Sequence, residues 1–444
     1  MPNFSKNKII ISVFIVVFFT LFFWIYFNNF KVNFESPAVG EYEITKSFIE
    51  EKIKQGKEFL LQIENKEENG FYKYYLPFEE EKTEDRLHTT YSASIVYSFL
   101  FIHEFDKDKK TLEKLSSWGD FLLRMQNLDK EDKRYGSFVY SYFFDEKNLD
   151  FGSKIKKKTI NSKGEKFTDY FYIDNQGREL RYVVGTNSKT IFTLLRLYEY
   201  TKEEKYLNSA VLSGNWLLTM QNENGTVRPY VRYENGKWLF GSKESFLYQG
   251  QVLSAFSRLY KITKDERYYE GAKKIADRFA DKIEKANGEF IVDDYRTVNS
   301  ISNSWVVMSL MDFYNISFDN YYKEIIFRHS GKILEDQIKS EKNPSDFGRY
   351  KTAYSSSGNG WIAEVLTEVY RFCLKEEGDN CSIYKDSVTD VIDWIIGHTY
   401  SKENTQIKDI IGSVYWSKEY RHVRSDSVAH SLNAYARIIE FLPD

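Results

Sequence analysis

Apolar side chains recur three or four residues apart through residues 245–279, and a polar break at residues 263–266 divides them into two segments. In the first segment Val252, Phe256 and Leu259 fall on one side, and a similar apolar stripe follows the break. This spacing is that of an α-helix that buries one face. The pattern therefore predicts a helical hairpin, two helices joined by a short turn.

The same hairpin recurs along the chain. Residues 196–210 and 258–272, 62 positions apart, share eight identities in fifteen positions. A second repeat, at 95 positions, places Met-Gln-Asn at the end of a predicted helix at 125–127 and again at 220–222. Fixed repeats of this length are typical of folds built from one supersecondary unit.

Weaker hairpins follow, and one unpaired helix stands at each end of the series. Residues 303–314 with 321–337 form a fourth hairpin, and residues 361–374 with 384–396 form a fifth. Residues 44–63 and 426–441 are lone amphipathic segments. In a closed ring the first lone helix can be the outer partner of the last. The sequence thus predicts an all-α fold, one (α/α)6 toroid over residues 43–444.

Segments of alternating aromatic residues lie between the predicted helices and predict β-hairpin insertions in the connecting loops. These segments are residues 136–144, 166–173, 227–233 and 289–295. The longest connection, residues 127–185, contains a run of lysines, and long ordered loops in compact domains are usually functional.

The N-terminal region predicts a membrane anchor. Residues 9–27 carry no charge and are long enough to cross a hydrocarbon layer of ~30 Å as one helix. Lys6 and Lys8 precede them, which favours a cytoplasmic tail at residues 1–8. Residues 28–42 would be a linker to a globular domain in the periplasm or extracellular space. A cleavable signal peptide is the alternative, although no small-residue cleavage site ends the apolar run.

Composition excludes some classes of function. The chain has 62 Lys and Arg against 65 Asp and Glu, without the basic excess of a nucleic-acid binder. Its six histidines are dispersed, and no glycine-rich phosphate loop occurs, so we expect no metal centre and no cofactor. Cys373 and Cys381 flank a predicted turn, where a local disulfide and two free thiols are both open interpretations.

The inner helices of such a ring begin at one common end, so residues at their starts would line a funnel. Helix N-termini carry partial positive charge and favour anionic ligands. The predicted substrate-binding residues are Arg86, Asn187, Lys189, Tyr248, Gln249, Gln251, Asn303, Trp305, Asn359, Trp361 and Arg424.

The last inner helix carries the densest group of chemical side chains. Asp426 and His430 are four residues apart and share a helix face, and a carboxylate can poise an imidazole for proton transfer. The alternative is an Asp N-cap beside a buried histidine. The other predicted catalytic residues are Asp85, His88, Tyr354 and Glu364.

Two motifs carry a family resemblance. The segment QGQVLSAFSRLY, residues 249–260, resembles the Q-G-x-x-x-S-x-x-x-R-x-Y helix of D-glucuronyl C5-epimerases. Those epimerases also end with Arg-x-Asp followed closely by His, to which Arg424, Asp426 and His430 are similar although the spacing differs. More loosely, the hairpin series resembles six-hairpin glycosidases and unsaturated glucuronyl hydrolases.

The resemblance implies a C5-epimerase-like enzyme that acts on an acidic, uronate-containing polysaccharide. A glycoside hydrolase or lyase of the six-hairpin type is a second hypothesis. A non-catalytic glycan-binding protein of a polysaccharide export system is a third, and proteins of polysaccharide synthesis or export are the expected partners in that setting.

Overall fold

The computed structural model describes residues 43–340 and 344–444, and within them twelve α-helices alternate between an inner and an outer ring. The inner helices are α2 (Thr89–Asp106), α4 (Val184–Thr201), α6 (Phe246–Thr263), α8 (Ser300–Ser317), α10 (Ser356–Lys375) and α12 (Ser425–Ile438). The outer helices are α1 (Lys46–Gln62), α3 (Lys109–Arg124), α5 (Glu204–Met220), α7 (Glu266–Lys285), α9 (Asn320–Glu335) and α11 (Ser382–Ile396).

The ring is closed. Each inner helix packs against the next, α12 packs against α2, and α1 packs on the outside of α12. The backbone N–H of Lys46 donates to the carbonyl of Pro443 at 2.9 Å, which joins the two ends of the toroid. The predicted pairing of the two lone helices, and with it the (α/α)6 toroid, is confirmed.

Hairpin turns are tight because of a recurrent two-residue signal. Lys107, Lys264 and Phe318 end their inner helices in the left-handed conformation, with φ of 51°, 57° and 56°. The residue after each is an aspartate whose carboxylate caps the following outer helix, as Asp265 does by accepting from the backbone N–H of Arg267. A left-handed residue followed by an N-cap reverses the chain at once.

The repeated Met-Gln-Asn motif also has a structural explanation. The Gln126 amide donates to the carbonyl of Gly136 in the following loop and to that of Ser209 on the next outer helix. Gln337, which follows α9, makes the equivalent pair of bonds to Gly348 and Ser387. These glutamines therefore tie α3 to α5 and α9 to α11.

The loops at one end of the ring carry short antiparallel strands. The longest pair is β6 (Ser153–Ile160) with β7 (Lys166–Ile173), and β8 (Arg181–Val183), β9 (Tyr230–Glu234) and β10 (Lys237–Phe240) form a sheet in the order β10-β9-β8. The remaining pairs are β1 (Glu64–Asn65) with β2 (Gly70–Phe71), β3 (Tyr74–Tyr75) with β11 (Val423–Arg424), and β4 (Leu87–His88) with β5 (Ser141–Tyr142).

The strand predictions are only partly confirmed. The strand predicted at residues 166–173 is present over that range, and β5 and β9 overlap two others. Residues 289–295 contain no strand. There the Asp293 carboxylate accepts hydrogen bonds from backbone N–H groups, including those of Tyr295 and Arg296. This side chain therefore provides the acceptors that a partner strand would otherwise provide.

The predicted cytoplasmic tail, anchor and linker, residues 1–42, lie outside the described residues. Among the helices that the structure describes, none is long and apolar enough to cross a bilayer. Cys373 and Cys381 are joined by a disulfide across the turn between α10 and α11.

Candidate active site

A cavity of about 670 Å³ opens where the inner helices begin. It has a regular construction, since the second and sixth residues of every inner helix line it. The second residues are Thr90, Gly185, Leu247, Ile301, Ser357 and Asp426; the sixth are Ser94, Lys189, Gln251, Trp305, Trp361 and His430. Positions i and i+4 share a helix face, so this register turns eleven side chains and the Cα of Gly185 toward one space.

The fourth residues of these helices point elsewhere. The Oδ1 atoms of Asn187, Asn303 and Asn359 accept the backbone N–H groups of Phe138 (2.7 Å), Ile291 (3.1 Å) and Tyr350 (2.9 Å) in the preceding loops. All three asparagines are fully buried and also donate to backbone carbonyls.

Gln249, the fourth residue of α6, is also fully buried and donates to Glu244 Oε1. These four predicted substrate-binding residues therefore lie outside the cavity lining. They fix the loops that surround the cavity.

Arg424 and Asp426 form a bidentate ion pair in the cavity wall. Arg424 Nε and Nη2 donate to the two carboxylate oxygens at 2.6 and 2.7 Å, and Nη2 also donates to Ser357 Oγ. The guanidinium lies 4.1 Å from the ring centroid of Trp416. Burial opposes ionisation of Asp426, but Arg424 outweighs it and lowers the pKa to about 2. Asp426 is thus a fixed anion with both oxygens engaged.

His430 is the lining residue best placed for proton transfer. Its Nδ1 lies 2.9 Å from Glu364 Oε2, and Arg437 Nη1 lies 2.9 Å from Glu364 Oε1. Burial disfavours the charged form of Glu364, yet Arg437 and the hydrogen bond from His430 lower its pKa to about 2. A carboxylate partner makes Nδ1 the donor, which leaves Nε2 of a neutral imidazole as the basic nitrogen.

Glu364 itself is 3% exposed and lies behind His430 rather than in the cavity lining. Glu364 was predicted to face the funnel. Instead, its carboxylate lies behind His430 and orients the imidazole.

Two tryptophans form one wall of the cavity. Trp305 and Trp361 stack at 3.8 Å between ring centroids with 15° between their planes, and the His430 ring meets Trp361 edge-on at 5.3 Å. Each indole already covers one face of the other, and the pair forms a rigid apolar surface beside the imidazole.

Positive charge exceeds negative charge in the described lining. Lys189, Arg296 and Arg424 are its cations, and Asp426 is its one carboxylate. Desolvation lowers the pKa of Lys189 from its usual value, against the attraction of Asp426 and Glu364. A lysine with a lowered pKa loses its proton more readily and can serve as a proton-transfer group.

The predicted tyrosines belong to the wall and the mouth. Tyr248 lies beside the start of α6, where burial raises its pKa. Tyr354 is 61% exposed at the mouth. The charges of Arg181 and Arg296 oppose this rise at Tyr248, but burial outweighs them.

His88, Arg86 and Asp85 do not line the cavity. His88 is fully buried between the rings of Tyr91 and Tyr140, and burial, followed by the charge of Arg86, lowers its pKa to about 3. Arg86 pairs with buried Glu84 at 2.8 Å, and Asp85 is exposed. Glu84, Arg86 and His88 thus form a buried group behind Tyr91 and Tyr140, which line the cavity.

Sequence reasoning did not identify some lining residues. Ser94, Leu247, Ile301 and Ser357 would have followed from aligning the six helix starts, because positions two and six repeat in all of them. Trp416, which lies against Arg424, comes from a loop without a repeat and had no such signal.

Comparison with known proteins agrees with this architecture. The model of glycosyl hydrolase family 76 matches residues 186–303, about a quarter of the chain, from the start of α4 to the start of α8. No curated protein matches the chain by sequence.

Solved structures match nearly the whole chain. Cellobiose 2-epimerase from Bacillus thermoamylovorans B4167 is 12% identical with a TM-score of 0.65, over 89% of this chain and 100% of that one. The GH76A α-1,6-mannanase of Salegentibacter sp. HEL1_6 is 11% identical with a TM-score of 0.60, over 88% and 98%. An unsaturated glucuronyl hydrolase specific for heparin is 10% identical with a TM-score of 0.59, over 89% and 98%.

At these identities the structural likeness establishes the fold alone. The predicted likeness to six-hairpin glycosidases is confirmed at that level. Together with the family match, it supports a carbohydrate-active enzyme, either an epimerase or a hydrolase.

Proposed function

We propose that this chain is a sugar epimerase that acts by proton transfer on an anionic, uronate-containing glycan. The observation that carries the proposal is His430, a cavity-lining imidazole whose Nδ1 is held by Glu364 and whose Nε2 is left as a base. The excess of cations in the same cavity suits a substrate carboxylate.

The proposed reaction moves one proton off and one proton on. The C5–H bond of the uronate breaks, and its proton goes to Nε2 of His430. The electron pair delocalises into the adjacent carboxylate, whose developing charge the cavity cations stabilise. Lys189 then protonates C5 from another direction, since α4 lies two inner helices from α12 round the ring. Exchange with water restores both groups.

Hydrolysis is the second candidate, because the matched family and the mannanase are glycoside hydrolases. An inactive variant of that mannanase has two consecutive aspartates replaced. Asp293 and Asp294 are the consecutive aspartates of this sequence, and they accept the backbone N–H groups of Phe246 and Glu244 instead of lining the cavity.

Inverting hydrolysis also needs two carboxyl groups across the scissile bond, one of them a proton donor. The described lining offers Asp426 alone, ion-paired and with a pKa of about 2. The site chemistry therefore favours epimerisation over hydrolysis.

We further propose that the enzyme is anchored by residues 9–27 and works outside the cytoplasm, where polysaccharide synthesis or export proteins would be its partners. The uncharged segment supports an anchor. The Cys373–Cys381 disulfide supports an oxidising compartment.

Incubation of the full chain with uronate polymers in heavy water tests the proposed activity. We expect deuterium at C5 without new reducing ends. His430→Gln should lower the exchange rate by about 100-fold or more, the usual contribution of a general base. His103→Gln, a change at the far end of α2, is the matched control and should leave the rate intact.

Other outcomes assign the other hypotheses. New reducing ends without deuterium would identify a hydrolase, and new unsaturated ends a lyase. Glycan binding with neither product would identify a non-catalytic protein. An unchanged rate in the His430 variant would exclude the proposed base.

A further inference from the structure

The β6–β7 hairpin presents one polar face to solvent. Side chains alternate between the two faces of a strand. Lys154, Lys156 and Lys158 therefore share a face, opposite Tyr172, Tyr170 and Thr168 of β7. The other face packs down through Ile155 and Phe171 against Phe143.

The lysines on this face are exposed and largely free of counter-charge. Lys158 lies 3.9 Å from exposed Glu81, whereas within the part of the chain that the structure describes Lys154 and Lys156 have no carboxylate within 4 Å. The Lys154 ammonium lies 4.5 Å from the ring centroid of Tyr170, a side chain that is 53% exposed.

The turn end of the hairpin reaches the cavity. Ser162, in the turn, lines the cavity. Gly164 lies so close to His422 that a Cβ would stand 2.6 Å from the imidazole Nδ1, and Thr159 is bonded to Arg86 beneath the cavity. The hairpin is fixed at the mouth, and from there the lysine face continues along β6 from Lys158 to Lys154, about 13 Å at the rise of a strand.

We propose that this face is an accessory binding track for an anionic polysaccharide chain whose reacting sugar occupies the cavity. The inference rests on the proposed substrate class. Alternate residues of a strand stand about 6.6 Å apart, so the lysines offer a row of cations to a polymer that carries carboxylates at regular intervals. Each further contact on a tethered chain adds affinity at high effective concentration.

The test is equilibrium binding by the full chain carrying K154E and K156E. We expect its affinity for polyglucuronate to fall about tenfold at an ionic strength of about 50 mM, with a smaller loss at about 300 mM because salt screens exposed charges. Affinity for a glucuronate disaccharide, which fills the cavity alone, should not change. K109E with K110E, a pair of exposed lysines at the start of α3 at the other end of the ring, is the matched control.

The proposed track would be wrong if wild type and the hairpin variant bound the polymer with equal affinity. It would also be wrong if the control variant lost as much polymer affinity as the hairpin variant. A hairpin variant that keeps its polymer affinity but loses the preference for phosphatidylglycerol over phosphatidylcholine vesicles would assign the face to the membrane and overturn it too. The polymer and vesicle experiments both measure binding and do not depend on catalysis. Absence of deuterium exchange would therefore contradict the proposed epimerase without contradicting the binding track.

Discussion

Glu364 connects the cavity to the interior of the protein through three donors. It accepts from His430 and Asn433 on one oxygen, while Arg437 lies against the other. Arg437 in turn donates to Glu368 and packs on the ring of Phe101 at 4.0 Å. The orientation of the proposed base is therefore set by a buried ion pair on the far side of its carboxylate.

Replacing Glu364 with Gln should damage both activity and stability. The imidazole loses its anionic partner, and we expect the rate of C5 proton exchange to fall about 100-fold or more. Arg437 loses a buried counter-charge, which typically costs about 3–5 kcal/mol of unfolding free energy. Exchange kinetics and urea unfolding measure the two effects.

Glu368→Gln is the control for that substitution. It touches the same arginine but is partly exposed and has no contact with His430. Its exchange rate should stay within about threefold of wild type, a difference of less than 1 kcal/mol. Equal losses in the two variants would mean that Glu364 acts only through stability.

For single residues, the sequence predicted correctly that α12 brings Asp426 and His430 to the funnel. Asp426 and His430 were identifiable because an i, i+4 pair must share a face. The three asparagines were misplaced because a residue two positions earlier than a lining residue has turned through about 200° of helix. Glu364 was assigned to the correct helix, but its depth depends on packing between α10 and α12, which the sequence of one helix does not contain.

Glycines at the ends of outer-helix loops lie directly against the backbone of the next outer helix. Gly136, Gly348 and Gly412 have φ between 86° and 88°, and a Cβ on each would stand 2.1 to 2.4 Å from a backbone atom. At Gly412 the nearest atom is the carbonyl carbon of Gln55 on α1, so this contact joins the loop between α11 and α12 to the first outer helix, where the ring closes.

Gly412→Ala should therefore weaken the closure. The methyl group has no space, and the left-handed backbone adds strain, so we expect a loss of about 2–4 kcal/mol in unfolding free energy. Gly236→Ala, at φ of 80° with nothing within 4 Å, carries the strain alone and should cost about 1–2 kcal/mol. Chemical denaturation of both variants gives the difference, and equal losses would show that the α1 contact is unimportant.

The helical hairpins were predictable because the outer helices are amphipathic and their turns repeat a local signal. The short strands were not. Pairs such as Val423 with Tyr75 join segments far apart in the sequence, and two-residue strands have no periodicity of their own. Only the second strand of the β6–β7 hairpin was predicted in its full length, because four of its eight residues are aromatic.

Four buried histidines make the whole molecule sensitive to acid. Burial is the main cause that lowers the pKa of His88, His329 and His398 to about 3 and that of His422 to about 4. The unfolded chain binds protons at these sites below pH 6.5, whereas the folded protein does not. Stability is therefore greatest above pH 6.5 and falls as the pH drops toward the folded values.

Each such histidine should lower the unfolding free energy by about 1.4 kcal/mol per pH unit below 6.5. We expect the urea midpoint to be clearly lower at pH 5 than at pH 7.5. His329→Gln can still donate to Asn303 Oδ1 and should reduce this pH dependence. The same slope in that variant would contradict the assignment. Glu364 and Asp426 also make the protein less stable in acid. Their stabilising effect is lost as the pH falls from the ordinary carboxyl pKa values to the folded-state values of about 2.

The contact between α1 and α12 also constrains how the protein forms. Lys46 and Asp444 are hydrogen-bonded across 398 positions of sequence, so the circle cannot be completed until the final helix has left the ribosome. Contacts of such high order slow folding, and the five intervening hairpins must persist as an open arc until then. A circular permutant of residues 43–444 that links these two neighbours and is cut in a surface loop would make this contact local, and it should fold faster to the same ring.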